Sequence, residues 1–281
     1  MTDFSDYDLQ RASNESSNVA RTPAHSVGLW IAIALLVAAA GVAAYVLLSR
    51  RPLPAPAATA TPTAAQESAP RSLGGEAEPI AVPPLDESDA VVRQLVRALS
   101  ESPVIAAWLA TDGLIRNFTV VVANIAEGPT PARHVKSLRP AATFRVVERD
   151  ASTYVDPRSY ERYAALADAM ASVDAVAAAR LYATLKPRIE EAHRELGYTD
   201  TFDRTLEKAI VTLLKTPSVD DPVRLRPKGI GYAYVDPRLE QLTGAQKQLL
   251  RMGPRNVRIV KERLRAIALA LGIRVEDLPP G

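Results

Sequence analysis

The sequence predicts a mainly α-helical protein with one N-terminal transmembrane helix, a Pro-rich linker and a C-terminal helical domain that contains one small β-sheet. Three observations lead to this prediction. Residues 27–48 form an uncharged apolar run. Residues 49–85 are rich in proline and alanine. Through most of residues 86–281, apolar positions recur at intervals of three and four, which is typical of amphipathic helices.

The apolar run, VGLWIAIALLVAAAGVAAYVLL, is long enough to cross a membrane. As a helix, its 22 residues would extend about 33 Å, enough for a hydrocarbon core of about 30 Å. A cleaved signal peptide has a shorter apolar region and a small-residue cleavage site, whereas this run is followed by Arg50 and Arg51. A buried helix of a soluble protein would not usually stand alone between two polar segments. We therefore expect a retained membrane anchor.

The segments on either side of the anchor are not expected to fold by themselves. Residues 1–26 form a polar head with too little apolar surface to build a core, so disorder is expected there. Residues 49–85 contain eight prolines, and such a composition favours an extended, semi-rigid spacer. The spacer would hold residues 86–281, the predicted helical globular domain, at a variable distance from the bilayer.

Helix start and stop signals divide the domain into successive helices. Asp86 or Ser88 caps the first, Asp112 caps the third, and Pro187 is expected to kink or split a long one. The first predicted helix ends at about Leu99, the third ends at Gly128, and another begins after Asp156-Pro157. The remaining predicted helices span Pro103–Trp108, Val173–Leu196, Phe202–Leu214, Ala245–Met252 and Arg255–Leu271.

Two stretches are expected to be extended, Thr143–Glu148 and Val223–Val235. The sequence Tyr-Val-Asp-Pro-Arg also occurs twice, ending at Arg158 and at Arg238. It is either the trace of an internal repeat or a pair of similar helix starts. The flanking residues match poorly, which favours two similar helix starts.

Four basic residues on a predicted loop form the first candidate ligand site: Arg133, His134, Lys136 and Arg139. The loop follows Gly128, which should end a helix. Such a group could bind a carboxylate, a phosphate or an anionic glycan. It could equally be a surface loop paired with nearby carboxylates.

The second candidate site lies in the basic C-terminal region, where residues 224–274 contain 12 basic and 3 acidic residues. Arg251, Arg255 and Asn256 surround its Gly-Pro break. A helical nucleic-acid motif would place such arginines near phosphates, but a helix-hairpin-helix turn needs a second glycine that is missing here. Binding to lipid headgroups or to another anionic polymer, and a purely structural basic face, are the other interpretations.

No catalytic or metal-binding motif is evident. The chain lacks cysteine and has three histidines. Its single E-x-x-H pair, Glu190 and His193, is too little for a di-metal site. We therefore predict no catalytic residue, no metal and no cofactor. The enzymatic alternative, a cell-envelope hydrolase, would have to use Glu127, His134 and Asp112, which surround one predicted helix and its exit loop.

Five segments together resemble the domain of unknown function 3014 family: WLATD at 108–112, residues 124–140, YVDPRSYERY at 154–163, LGY at 196–198 and QKQLLRMGPRN at 246–256. The resemblance spans about residues 85–271. It implies a proteobacterial protein with a membrane helix, a Pro/Ala-rich linker and this domain, but no activity, cofactor or catalytic residue. The family pattern has Tyr where this chain has His193.

These observations predict a single-pass protein of the bacterial inner membrane whose non-enzymatic domain binds or scaffolds a partner protein or an anionic envelope component. The positive charges of Arg50 and Arg51 slightly favour a cytoplasmic location of the C-terminal domain. The layout of the resembled family implies a periplasmic location, and this is the location that we expect. A cytoplasm-facing nucleic-acid-binding protein is the second alternative to binding in the envelope. The sequence does not indicate the oligomeric state.

Overall fold

The computed structural model describes residues 72–97, 100, 102–134, 136–220 and 222–280. The predicted head, the transmembrane helix and most of the linker lie outside the described residues. In the described part, the prediction of a mainly helical domain with one small sheet is confirmed by ten α-helices and a four-stranded antiparallel sheet.

The helices are named in chain order. Their bounds are α1 Asp89–Arg97, α2 Pro103–Leu109, α3 Leu114–Glu127, α4 Arg158–Glu161, α5 Ala164–Ala171, α6 Ala175–Glu195, α7 Phe202–Leu214, α8 Pro237–Glu240, α9 Gly244–Leu250 and α10 Pro254–Ala270. Within the described ranges, no single helix is both long and apolar enough to cross a membrane; α2 and α3, bent by 108°, meet the criteria of length and composition only as a pair.

The main hydrophobic core lies between α3, α6, α7 and α10. The ring of Phe202 contacts two other buried aromatic rings, with centroid distances of 5.7 Å to Phe118 and 6.2 Å to Tyr182. Each such side chain contributes about 2 kcal/mol through burial. The apolar spacing predicted for the domain is confirmed in the last helix, where five residues at intervals of three and four are all buried: Val257, Val260, Leu264, Ile267 and Leu271.

The sheet is built from two β-hairpins in the order β1-β2-β3-β4. The strands are β1 Val146–Arg149, β2 Ser152–Val155, β3 Arg224–Lys228 and β4 Gly231–Tyr234. Helices α4 to α7 lie between the hairpins in sequence, yet β2 pairs directly with β3. Side chains of the sheet form a second hydrophobic cluster with Leu239 and Leu250, which fixes the sheet to α8 and α9.

The repeated Tyr-Val-Asp-Pro-Arg sequence has the same structure in both places. The side chain of Asp156 accepts a hydrogen bond from the N–H of Arg158 at 2.9 Å, and that of Asp236 accepts one from Arg238 at 2.8 Å. The predicted cap is confirmed for Asp236, which directly precedes α8, whereas Pro157 stands between Asp156 and α4 and Asp156 binds the first amide of the helix from one residue further away. Each copy also follows a hairpin of the same sheet, so the similarity extends beyond the two helix starts that the sequence favoured.

The predicted cap of α3 is wrong. The residue that precedes the helix is Gly113, and the side chain of Asp112 is 98% exposed. Asp89, at the start of α1, instead accepts hydrogen bonds from the N–H groups of Gly113 and Leu114, both at 2.8 Å. Amides at a helix start lack partners within the helix, so a carboxylate from another helix takes the place of a local cap.

Two other helix predictions need correction. The predicted helix after Asp156 is divided at Arg162 into α4 and α5. The split expected at Pro187 does not occur, because α6 is continuous from Ala175 to Glu195. Asp174 caps this helix by accepting a hydrogen bond from the N–H of Ala177 at 2.6 Å.

The end of the predicted linker is part of the domain. Residues 72–82 lie along α6 and are called the strap. The carboxylate of Asp203 accepts hydrogen bonds from the N–H of Leu73 at 3.0 Å and from the hydroxyl of Tyr182 at 2.5 Å. It also forms an ion pair with Lys186, whose Nζ lies 2.5 Å away. Residues 72–82, which the sequence assigned to the linker, therefore pack against the helical domain.

Candidate anion-binding sites

The first predicted basic group lies on two short 3₁₀ turns, Ala132–His134 and Lys136–Leu138, which follow the end of α3. The side-chain amide of Asn117 donates to the carbonyl of His134 at 2.7 Å, and Leu138 is buried, so both turns are fixed to the core. The segment 133–139 is called the cationic turn. Arg133, Lys136 and Arg139 are exposed on it.

The three exposed cations of this turn form no salt bridge with any residue that the structure describes. The alternative, a loop paired with nearby carboxylates, therefore finds no support in this part of the chain. His134 differs from the others because it is half-buried. Burial and then the charge of Arg133 lower the pKa of His134, which keeps the imidazole neutral at pH 7.

The second predicted group is divided by the structure. Asn256 is buried, and its side-chain amide donates to the carbonyls of Tyr160 at 3.0 Å and Met252 at 2.9 Å. Its predicted role as a surface ligand is therefore wrong, because both donors are used within the fold. Arg255 is exposed and lies 3.5 Å from Asp168 in an ion pair.

Arg251 occupies a different environment from Arg255. It is half-buried at the end of α9 and contacts the hydroxyl of Tyr234. Burial raises the pKa of Tyr234, while the positive charge of Arg251 opposes this rise. Burial lowers the pKa of Arg162 and raises that of Tyr163, and the positive charge of Arg251 contributes a smaller lowering of both pKa values.

Arg162 and Tyr163 are the site residues that the sequence analysis missed. The Cζ atom of Arg162 lies 4.9 Å from the ring centroid of Tyr163 and 5.3 Å from that of Phe144, within the range of cation–π contacts. Tyr163 itself is buried. The signal in the sequence was Arg162, a charged residue that directly precedes the buried Tyr163.

The candidate residues for hydrolysis do not meet. Asp112 precedes α3 and Glu127 ends it, so the helix keeps them about 20 Å apart. Asp112 pairs with Arg93 at 3.1 Å and Glu127 with Lys208 at 2.9 Å, both on the surface. Catalytic acid and base must both reach one substrate, so this set cannot act as predicted for the hydrolase alternative.

The E-x-x-H pair is part of the core packing. His193 is buried, stacked on Tyr198 with a centroid distance of 4.4 Å, and its Nε2 lies 3.1 Å from the hydroxyl of Thr205. Glu190 accepts a hydrogen bond from the N–H of Phe202 at the start of α7, at 3.0 Å. Glu190 and the Nε2 atom of His193 therefore make structural contacts, whereas the buried Nδ1 atom of His193 has no hydrogen-bond partner among the described residues.

A comparison of the sequence with protein families finds one match relevant to these sites. The model of the family described as "Protein of unknown function (DUF3014)" matches residues 114–268, which is more than half of the chain. The matched region extends from the start of α3 into the last turn of α10 and includes both groups of basic residues. No curated protein and no solved structure is significantly similar to the chain.

Proposed function

The chain belongs to the DUF3014 family of proteins of unknown function, and from its own residues we propose that it is a membrane-anchored, non-enzymatic binding protein of the cell envelope. Its cationic turn would hold an anionic envelope component. An acidic partner protein is the alternative ligand of the same surface. The domain would face the periplasm from the inner membrane.

The observation that carries this proposal is the local excess of positive charge on the cationic turn. Three exposed cations lie within seven residues, from Arg133 to Arg139, and residues 128–147 contain no acidic residue. Exposed charges of one sign on a fixed backbone raise the local concentration of anions and speed their association. Because Asn117 and Leu138 fix the turn, little conformational entropy is lost when a ligand binds.

The N-terminal sequence supports the proposed anchor. Residues 27–48 have the length and composition of a spanning helix. Since residues 72–82 pack against the helical domain, the spacer consists of residues 49–71. These residues would reach about 70 Å as a polyproline helix. A binding domain on such a spacer could contact ligands well beyond the headgroup layer.

The binding proposal is tested with the full chain in nanodiscs and isolated cell-wall sacculi in a co-sedimentation assay. Replacing Arg133, Lys136 and Arg139 together by Glu should reduce the bound fraction at least tenfold. The matched control replaces three exposed cations elsewhere, Arg194, Lys215 and Arg226, by Glu. Equal binding of the wild type and both variants would disprove the assignment of the ligand site to the cationic turn.

The topology is tested separately by a phosphatase fused to the C-terminus, an enzyme that is active only in the periplasm. We expect activity comparable to that of a known periplasmic fusion. An inactive fusion at normal expression would place the domain in the cytoplasm. That result would refute the envelope ligand and favour the nucleic-acid alternative.

A further inference from the structure

We propose that the free end of the β-sheet docks on the surface of an anionic membrane, where Ile230 enters the headgroup region and Arg149 and Arg226 contact lipid phosphates. The two hairpin turns and the strand ends beside them, residues 149–152 and 226–232, are called the sheet tip. This inference goes beyond the proposed function, because no residue of the sheet tip belongs to the cationic turn. It rests on the proposed anchor only for the distance to the bilayer.

The strand pairing places both hairpin turns at the same end of the sheet. Each turn contains two residues, 150–151 and 229–230, and all four are exposed. In the antiparallel pair of β2 and β3, Thr153 is two residues from the first turn, and its partner Leu225 is four residues from the second. The second turn therefore extends about 7 Å further than the first. Helices α4 and α8 follow the opposite ends of β2 and β4, so the sheet tip points away from them.

Ile230 is exposed in the turn that extends furthest. It is 72% exposed, more than any other large hydrophobic residue in the described ranges, and it belongs to neither hydrophobic cluster. The turn needs glycine only at its first position, where Gly229 has a φ of 57°. Neither the turn nor the core therefore explains an isoleucine at this place, which is the residue type that a contact with lipid would favour.

Two neighbours extend the apolar area around Ile230. Tyr232, which is 40% exposed, lies opposite Pro227 on the next strand, and Pro227 is exposed as well. The ring of Tyr232 is held by Phe144, with a centroid distance of 6.0 Å. Tyrosine is enriched at membrane–water interfaces, because its ring is apolar and its hydroxyl is polar. The apolar part of the sheet tip is therefore a small patch and not a single side chain.

Two arginines beside this patch are available to an anion. Arg149 and Arg226 are exposed, and neither forms a salt bridge with any residue that the structure describes. Arg149 is the partner of Ser152, and Arg226 follows the partner of Thr153, so both arginines flank Ser152 on one face of the sheet. Their strands are two strand spacings apart, about 10 Å. This separation lets them contact phosphates of neighbouring lipids.

The charge of the sheet tip is positive. It contains three cations, Arg149, Arg226 and Lys228, and one carboxylate, Asp150, so three minus one leaves a formal net charge of +2. Lys228 is paired with Glu240 at 3.0 Å, outside the tip. Arginine and lysine side chains near an anionic bilayer are attracted to its surface potential. Residues 222–235 contain no acidic residue that would oppose this attraction.

An anionic bilayer matches this arrangement better than a soluble polyanion does. Single-stranded nucleic acid is bound by cations together with aromatic rings that stack on bases, and it gains nothing from Ile230. A bilayer offers phosphates directly above an apolar boundary, which suits cations beside a protruding isoleucine. Residues 49–71 would reach about 70 Å as a polyproline helix, so the sheet tip of an anchored chain could return to its own membrane.

The test places an environment-sensitive dye at the sheet tip while Ile230 stays in place. Because the chain lacks cysteine, Ala151→Cys in the first turn can be labelled at a single position. The full chain is reconstituted in neutral nanodiscs of phosphatidylcholine and in anionic nanodiscs that also contain phosphatidylglycerol. We expect blue-shifted emission and an intensity about twofold or more higher in the anionic nanodiscs. The label control Val275→Cys, also at an exposed position, should give equal emission in both. Equal emission from the Ala151→Cys label would overturn the proposal.

Variants connect the signal to the proposed residues. In the labelled chain, Ile230→Ser should halve the enhancement or more, and Arg149→Glu with Arg226→Glu should abolish it. The matched control, Arg194→Glu with Lys215→Glu, replaces two exposed cations elsewhere and should leave it unchanged. Full enhancement in the double variant of the sheet tip would refute the assignment of lipid binding to these arginines.

Two further measurements separate this proposal from the alternatives. Single-stranded DNA is added to the labelled chain in neutral nanodiscs, and a response to DNA without a response to anionic lipid would replace the membrane by a soluble polyanion. The triple variant of the cationic turn should keep the full response to anionic lipid. Failure of the chain to remain on neutral nanodiscs would refute the proposed anchor, and the dye is then read with anionic vesicles mixed with the chain. Arg226 is also replaced in the control of the sacculus assay, which measures bound cell wall and not lipid, so the two tests stay independent.

Discussion

Gly253 lies so close to Tyr160 that no side chain fits between them. A Cβ atom on Gly253 would lie 2.3 Å from the Cγ atom of the Tyr160 ring, and the backbone of Gly253 has a φ of 84°. This contact joins the GPRN sequence at the start of α10 to the YERY sequence at α4. The two most distinctive segments of the chain therefore pack directly against each other.

The first prediction concerns this contact. Gly253→Ala should lower the free energy of unfolding by about 3–5 kcal/mol, because the methyl group overlaps a ring and the φ of 84° with a ψ of 163° is a conformation that essentially only glycine adopts. Gly272→Ala is the matched control, since Gly272 has a φ of 90° but nothing within 4 Å of an added Cβ. Gly272→Ala should cost about 1–2 kcal/mol, the penalty of a Cβ atom at a positive φ. Urea denaturation measures both, and equal losses would contradict the close packing.

The second prediction tests the cap supplied to α3 by α1. Asp89→Ala should cost about 2 kcal/mol, because it removes two hydrogen bonds to the N–H groups of Gly113 and Leu114. Asp112→Ala should change stability by less than about 0.5 kcal/mol, since that side chain is exposed. Denaturant titration of both variants measures the free energy of unfolding and shows which of the two aspartates caps α3. A larger loss of stability for Asp112→Ala than for Asp89→Ala would show that Asp112 caps α3 after all.

The third prediction concerns the anchor of the strap. Asp203→Asn should cost about 3 kcal/mol or more, because it leaves Lys186 without its partner in a mostly buried pair. It should also make residues 72–82 accessible to protease in the native state, because the amide offers one acceptor oxygen in place of the two that Leu73 and Tyr182 use. Glu127→Gln, which breaks an exposed pair with Lys208, should do neither. Resistance of Asp203→Asn to cleavage would contradict a docked strap.

The fourth prediction concerns acid sensitivity. Burial lowers the pKa of His193, and burial followed by Arg133 lowers that of His134. The unfolded chain takes up protons at about pH 6.5, before the folded domain does. Stability should therefore be unaffected above about pH 7 and fall below about pH 6.5, by at most about 1.4 kcal/mol per pH unit for each histidine.

Variants identify the histidines as the cause of this slope. The double variant His193→Gln with His134→Gln should reduce the dependence of stability on pH between pH 7 and pH 5, as measured by urea titration at each pH. The single variants should each remove part of it. A double variant with an unchanged slope would assign the acid sensitivity to carboxylates.

The helices were predictable because their signals are local. The predicted helix Ala245–Met252 closely matches α9, Gly244–Leu250, because its start is determined by a capping box between the neighbouring residues Thr243 and Gln246. The cap of α3 was not predicted correctly, because its acceptor lies on a different helix and Asp89 is 24 residues from Gly113. The strap was missed for a similar reason, since a Pro-rich composition does not show that Asp203 binds Leu73.

The same difference between local signals and tertiary contacts explains which candidate sites could be predicted. The cationic turn could be found from sequence, since its exposed charges are neighbours in the chain. The position of Arg162 between two aromatic rings could not be found in this way, because one of the rings belongs to Phe144, which lies 18 residues earlier in the chain. Asn256 was misassigned because a polar residue beside arginines resembles a ligand, whereas its amide supports the backbone of α4.

The docked strap determines how mechanical force would enter the domain. Any pull on the chain before Ser72 is resisted first by Asp203, through its hydrogen bond to Leu73, and then by the bond from the N–H of Gly74 to the carbonyl of Leu271. These contacts transmit the load to the start of α7 and then to the end of α10. Tension from a tether would thus be shared by the middle of the helical bundle, and α1 would not be peeled away first.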